Sequence, residues 1–233
     1  DPRSRDGWFR IGTLDVTTTA LIVGLGIVSM VLYAVDPAIP FKGALLSDLV
    51  ADGEVWRLVT WPLVNPPALL VAVGLFVFWW LGHLIEEEIG RGPYTIMLAA
   101  MTVLPAALVT LIGIDNDPGP TAGRWAAYAF GTGLLSTALF VVFVIDKPGA
   151  RFFFGIPAWA LAAVLVGIDV LSYLADRAWA ELLLLALVIT VACFAARQRG
   201  MVERLSFLPR LAVFSGGARV PSASSRRTRP PAR

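Results

Sequence analysis

The sequence predicts an all-α, polytopic membrane protein with one domain of six transmembrane helices. Apolar residues make up 57% of the 233 residues, charged residues make up 15%, and the mean hydropathy is +0.74. Soluble globular proteins are far less apolar than this. In addition, six apolar runs meet or approach the length of about 20 helical residues that a bilayer core about 30 Å thick requires.

Each predicted helix corresponds to one of these runs. The six predicted spans cover residues 17–35, 67–85, 94–114, 125–146, 155–175 and 178–197. They define a membrane domain over 15–197, which follows an N-terminal tail (1–14) and precedes a basic C-terminal tail (198–233). The end of that tail is rich in Ser, Pro and Arg, a composition that favours disorder.

The distribution of basic residues predicts that both termini are cytoplasmic. Lys and Arg near the ends of spans are retained on the cytoplasmic side. With both termini inside, four of the 19 basic residues face outward: Lys42, Arg57, Arg124 and Arg177. The preference for Arg over Lys, together with abundant Ala and Gly, favours a bacterial plasma membrane.

The composition argues against a metal, a cofactor or a nucleic acid as the ligand. The sequence has a single cysteine, Cys193, and a single histidine, His83, which cannot form an internal disulfide or a transition-metal site of the usual kind. The arginine-rich segment 215–233 has no aromatic residue to stack on bases. The basic tail is expected either to contact anionic lipid or only to set the topology.

The longest predicted connection, residues 36–66, lies between the first two spans on the outer side. It combines prolines and acidic residues with an amphipathic turn and with Trp56 and Trp61. This composition suits a segment that lies in the membrane interface.

Two motifs lie before and at the end of the second span. The run GEVWRLVTWPLV, which contains Trp56 and Arg57, precedes the span, and Gly82, Glu86 and Gly90 follow one another at four-residue spacing near its end. Together they resemble the WR-containing first loop and the G-x-x-x-E-x-x-x-G segment of the rhomboid family of intramembrane serine proteases. The resemblance covers about residues 15–197 and implies a rhomboid-like bundle of six helices.

The same resemblance indicates where catalytic residues would stand. A rhomboid carries its nucleophilic serine in a G-x-S-x motif where the fourth helix begins, and its histidine base in an A-H-x-x-G stretch of the sixth. With Gly131 on the first motif glycine and Ala180 on the alanine, Gly133 and Glu181 take the serine and histidine positions. The second span, PPALLVAVGLFVF, also lacks the family's oxyanion histidine and asparagine. Since glycine has no side chain to attack with, the resemblance implies an inactive pseudoprotease and not an enzyme.

Two other polar residues have alternative interpretations. Ser136 lies three residues after Gly133 and is a weak candidate nucleophile, because no base is in reach; packing between helices is the favoured interpretation. Asp169 lies inside the fifth span, where a carboxylate is costly. It is either a proton-linked or partner-binding group or, in the favoured interpretation, a group bonded to Ser172, Tyr173 or water near the interface.

The expected function follows from the resemblance. An inactive member would bind the transmembrane helices of partner proteins beside its second and fifth spans, as a scaffold, adaptor or stabilising factor. Small residues and polar groups would supply the contact energy. Three alternatives stay open: a constitutive accessory subunit of a larger membrane complex, an active intramembrane serine protease with a non-standard site, and a transporter, for which Asp169 alone is thin support.

Overall fold

The computed structural model of the protein describes residues 9–11, 14–115, 127–151 and 155–202. The helices in these ranges are α1 (Thr18–Val35), α2 (Ala38–Phe41), α3 (Ser47–Ala51), α4 (Arg57–Thr60), α5 (Leu69–Ile89), α6 (Arg91–Asp115), α7 (Gly133–Asp146), α8 (Ala158–Ala175) and α9 (Trp179–Gln198). Two antiparallel pairs of short strands accompany them. These pairs are β1 (Phe9–Ile11) with β2 (Leu14–Val16), and β3 (Leu45–Leu46) with β4 (Tyr128–Ala129).

The prediction of an all-α polytopic membrane protein is confirmed, with one helix shorter than expected. Among the described helices, α1, α5, α6, α8 and α9 are long and apolar enough to cross a bilayer. The sixth apolar helix, α7, has 14 residues. At 1.5 Å per residue its length is about 21 Å, less than the bilayer core of about 30 Å.

The predicted start of the fourth span, at residue 125, is wrong. Helix α7 begins at Gly133, and residues 127–132 before it are not helical. In this segment β4 pairs with β3 of the loop between α1 and α5, and Gly131 adopts a φ of +78° that an α-helix does not contain. The prediction failed because a short apolar run does not distinguish a buried strand from a helical turn.

Helix α7 lies in the interior of the bundle, whereas α8 lies at its edge. Helix α7 packs against α5, α8 and α9, and nine of its 14 residues are buried. Such all-round burial is typical of a helix that is apolar on every face. By contrast, the buried residues of α8 are Ala158 and Ala162, both in its first five positions.

Glu86 on α5 caps the N-terminus of α1. Its carboxylate is buried and accepts the backbone N–H groups of Thr18 (2.8 Å) and Thr19 (3.0 Å), and also the Thr19 hydroxyl (2.6 Å). The first amide groups of a helix lack partners within the helix, and the helix dipole favours a negative charge there. One side chain therefore fixes where α1 begins relative to α5.

The two glycines that flank Glu86 in the motif have different roles. A Cβ atom at Gly82 would lie 2.5 Å from the Tyr94 hydroxyl and 2.9 Å from Thr19 Cγ2, so this glycine permits the close approach of α1, α5 and α6. Gly90 ends α5 with a φ of +83°, which allows the chain to turn directly into α6. The motif therefore positions three helices at one end of the bundle.

The loop between α1 and α5 is ordered by Arg57. This buried side chain donates to the carbonyl oxygens of Ala44 (2.8 Å) and Phe41 (3.3 Å) and pairs with Glu54 (2.6 Å). Its neighbour Trp56 is exposed. Charge-assisted bonds of this kind are stronger than neutral ones, so Arg57 holds the loop in one shape.

The same loop is joined to α6 by Trp61. The indole of Trp61 is fully buried and donates to the carbonyl oxygen of Thr102 (3.2 Å). The loop is consequently part of the folded bundle.

Candidate functional site

A cleft of about 420 Å³ opens where β4 and the N-terminal ends of α7 and α9 meet the C-terminal end of α8. Its lining residues are Tyr128, Ala129, Phe130, Gly133, Leu134, Thr137, Asp169, Tyr173, Asp176, Ala178, Glu181 and Leu184. Three residues singled out from the sequence, Gly133, Asp169 and Glu181, thus line the same cleft. Ser136 is not among the lining residues.

The start of α7 is positioned by backbone bonds and by Asn65. The Gly131 N–H donates to the Trp61 carbonyl oxygen (2.8 Å), and the Thr132 N–H donates to Asn65 Oδ1 (3.3 Å). Gly131 is required here, since its φ is positive and a Cβ atom would lie 3.1 Å from Asn65 Oδ1. The loop that contains Trp56 and Arg57 is thereby joined directly to the wall of the cleft.

Asn65 was missed in the sequence, although it connects three parts of the molecule. It is fully buried, its backbone N–H donates to the Ser29 hydroxyl (3.1 Å), and its Nδ2 donates to the Pro62 carbonyl oxygen (3.1 Å). Together with the bond to Thr132, these contacts hold α1, the loop and α7 in register. A single polar residue before two prolines, Pro66 and Pro67, was the only available signal.

Gly133 is the first residue of α7 and is exposed in the cleft. A Cβ atom at this position would meet nothing within 4 Å. The cleft therefore has room for a side chain at this position, where glycine provides none.

Glu181 lies in the first turn of α9 and joins this helix to β4. Its Oε1 accepts the backbone N–H of Tyr128 (3.1 Å). The N-terminal end of α9 favours a negative charge at this position. Glu181 therefore acts as a hydrogen-bond acceptor that connects β4 to the start of α9.

Asp169 faces α7 from the second half of α8. Its Oδ2 accepts a long hydrogen bond from the Thr137 hydroxyl (3.4 Å). Of the side chains expected as partners, neither Ser172 nor Tyr173 is the one observed; the carboxylate is directed across the cleft to Thr137, one turn after Gly133. Thr137 was missed because this contact joins residues 32 positions apart.

Ser136 faces away from the cleft, toward α5. It is buried, and its hydroxyl lies within hydrogen-bonding distance of the carbonyl oxygens of Thr132 (2.9 Å) and Gly74 (3.3 Å). The single histidine, His83, lies roughly 13 Å further along α5 than Gly74. There it pairs with Glu87 (3.4 Å) and stacks on Trp79.

The electrostatic character of the cleft is acidic. Three carboxylates line it (Asp169, Asp176 and Glu181), whereas no Lys or Arg from the described part of the chain does. The described residues contain no group of three or more His, Cys, Asp or Glu that could hold a metal ion.

Burial, and secondarily the nearby Tyr33, raises the pKa of the Tyr128 phenol, which keeps this lining group neutral. Asp176, like Thr137, was missed in the sequence, because its position in a short loop gave no indication of a site.

The chain matches the model of a known protein family. The rhomboid domain model matches residues 52–203, more than half of the 233-residue chain. No curated protein and no solved structure matches the chain significantly. The matched range includes Arg57 and the second half of its loop, the Gly82–Glu86–Gly90 motif and the cleft between α7, α8 and α9. The chain therefore belongs to the rhomboid family.

Proposed function

We propose that this protein is a catalytically inactive member of the rhomboid family that binds transmembrane helices of partner proteins. The observation that carries the proposal is the cleft, which has the polar lining of a site but includes no serine and no histidine among the described residues that line it. Gly133 and Glu181 stand where the family's serine and histidine are expected, and both face this space.

Serine catalysis needs a hydroxyl within hydrogen-bond reach of a base and aimed donors for the oxyanion. Ser136 has its hydroxyl directed at backbone carbonyl oxygens, and His83 is engaged with Glu87 on another part of α5. These arrangements favour binding over cleavage.

Helix binding is favoured by the position of the cleft beside α8. This edge helix is buried only at its beginning, at Ala158 and Ala162, while Asp169 and Tyr173 of its second half line the cleft. Between transmembrane helices, polar contacts and close packing provide the driving force, since lipid and apolar side chains attract a helix equally well. A cleft with carboxylates, a threonine and two tyrosines supplies such contacts.

The proposal is tested by photo-cross-linking in the native membrane. A photoreactive phenylalanine analogue is placed at Phe130, which lines the cleft, or at Trp159, an exposed aromatic residue near the start of α8. We expect discrete adducts with membrane proteins from the Phe130 variant and none from the Trp159 variant. Absence of adducts at Phe130, or the same adducts at both positions, would count against helix binding in the cleft.

Quantitative mass spectrometry of complexes purified in mild detergent distinguishes a client-binding protein from a constitutive subunit. Partners that cross-link at Phe130 but co-purify below one-to-one stoichiometry are expected for client binding. A fixed stoichiometric set that survives washing would replace this proposal by the subunit alternative.

A further inference from the structure

We propose that the cleft receives a partner helix that carries a lysine or arginine side chain, and that Asp169 and Glu181 bind this cation. The inference rests on the proposed function and specifies the chemistry of the partner. It is carried by the charge of the cleft, by the unused acceptor capacity of its carboxylates and by the orientation of the surrounding helices.

The first step is the charge balance. Asp169, Asp176 and Glu181 line the cleft, and none of them forms an ion pair within the described part of the chain. Arg177, the nearest basic residue in sequence, is exposed in the turn between α8 and α9 and is not a lining residue. Asp169 lies within the apolar helix α8, where an ionisable group is costly without a partner of opposite charge.

The second step is acceptor capacity. An ionised carboxylate offers about four acceptor sites. Asp169 uses one of them for the long bond to Thr137, and Glu181 uses one for the Tyr128 amide. The remaining sites suit the three donors of an ammonium group or the fork of a guanidinium group.

The third step is the helix dipole. Asp176 caps the C-terminus of α8, and the last turn of this helix has no basic residue. Carbonyl groups at a helix C-terminus favour a positive charge. A cation bound between Asp169 and Glu181 would therefore also stabilise the end of α8.

The fourth step is the aromatic lining. Tyr128 and Phe130 are partly exposed at the cleft, with ring centroids 5.3 Å apart. The faces of aromatic rings attract cations, and the apolar stem of Lys or Arg packs against such rings. Tyr128 and Phe130 are thus suited to contact the same Lys or Arg side chain as the carboxylates.

The test uses the full chain in nanodiscs of zwitterionic phosphatidylcholine. The probes are three synthetic transmembrane helices of about 20 apolar residues. They differ at one position, about one and a half turns from the outward end, which is Lys, Leu or Glu. Energy transfer between the labelled protein and a labelled peptide measures binding. We expect the Lys peptide to bind on the order of five- to tenfold more tightly than the Leu peptide, and the Glu peptide to bind most weakly.

Matched variants identify the groups responsible. Asp169→Asn and Glu181→Gln are each expected to remove most of the preference for Lys, while Asp169→Glu, which keeps the charge, retains it. Asp52→Asn serves as the control, because Asp52 is an exposed carboxylate of the loop before α5 and does not line the cleft. The preference should be unchanged in this control.

Three results would overturn the inference. Equal binding of the three peptides would exclude cation recognition, while adducts at Phe130 in the native membrane would still support helix binding. A preference for Lys that survives in the Asp169→Asn, Glu181→Gln double variant would place the cation elsewhere. Loss of the preference in bilayers that contain phosphatidylethanolamine would identify a lipid headgroup as the occupant in place of a helix.

Discussion

Two neighbouring glycines at the start of α7 have opposite structural requirements. Gly131 has a positive φ and lies against Asn65, whereas Gly133 is helical and its surroundings are open. A side chain at Gly131 would strain the backbone and press on a buried amide. At Gly133 a side chain would reduce the conformational freedom of the unfolded chain without a clash.

Replacement of these glycines by alanine should therefore have unequal effects. We expect Gly131→Ala to lower the free energy of unfolding by about 1–3 kcal/mol, and Gly133→Ala to leave it unchanged or to raise it by up to about 1 kcal/mol. Denaturant unfolding in detergent micelles measures both. Equal losses in the two variants would show that Gly133 also has a structural requirement.

The buried Glu86 carboxylate provides a second prediction at a single residue. In Glu86→Gln, one carboxylate oxygen becomes an NH₂ group that cannot accept from the Thr18 or Thr19 amides. We expect a loss of about 1–3 kcal/mol, because a buried donor is left without a partner. Hydrogen exchange at the Thr18 and Thr19 amides should accelerate.

Glu87→Gln is the matched control for this change, since the Glu87 side chain is 66% exposed. Its effect should stay within about 0.5 kcal/mol, as for most surface substitutions. A loss as large as that of Glu86→Gln would mean that charge at this end of α5, and not the cap of α1, determines stability.

At the scale of helices and loops, close approach of α1, α5 and α6 depends on the absence of a side chain at Gly82. A Cβ atom there would contact Tyr94 and Thr19 below ordinary van der Waals distances. Interiors of proteins are close-packed, so three helices would have to shift to accept one methyl group.

The element-scale prediction compares two glycines of α5. Gly82→Ala should destabilise the protein by about 1–3 kcal/mol through overpacking. Gly74→Ala should be neutral or stabilising, because a Cβ atom at Gly74 meets nothing within 4 Å and alanine favours a helix. Thermal unfolding followed by circular dichroism gives both values. A neutral Gly82→Ala would mean that α1 is free to move away from α5.

The spans could be predicted from the sequence better than the site. Hydropathy is a property of contiguous residues, so α1, α5, α6, α8 and α9 were all expected close to where they occur. The start of α7 was not, because its strand pairing joins β4 to β3 across more than 80 positions of the chain. The roles of Asn65 and Thr137 depend on partners 67 and 32 positions away, which periodicity within a helix does not reveal.

At the scale of the whole molecule, the arrangement of the nucleophilic and basic side chains predicts no serine reactivity. The protein in detergent should not be labelled by a fluorophosphonate probe, because the hydroxyl of Ser136 is buried between α5 and α7 and the single histidine lies away from the cleft. A known serine hydrolase in the same detergent serves as the positive control. Labelling that is lost in Ser136→Ala would instead identify Ser136 as a nucleophile and support the alternative of a non-standard protease.

The open space at Gly133 also bears on how such a protein evolves. The bonds that hold the start of α7 come from Trp61 and Asn65, and they do not involve position 133. A small side chain at this position therefore meets no steric obstacle from the fold. Selection on what the cleft does, independent of selection on stability, decides whether a lineage keeps glycine there or acquires a hydroxyl.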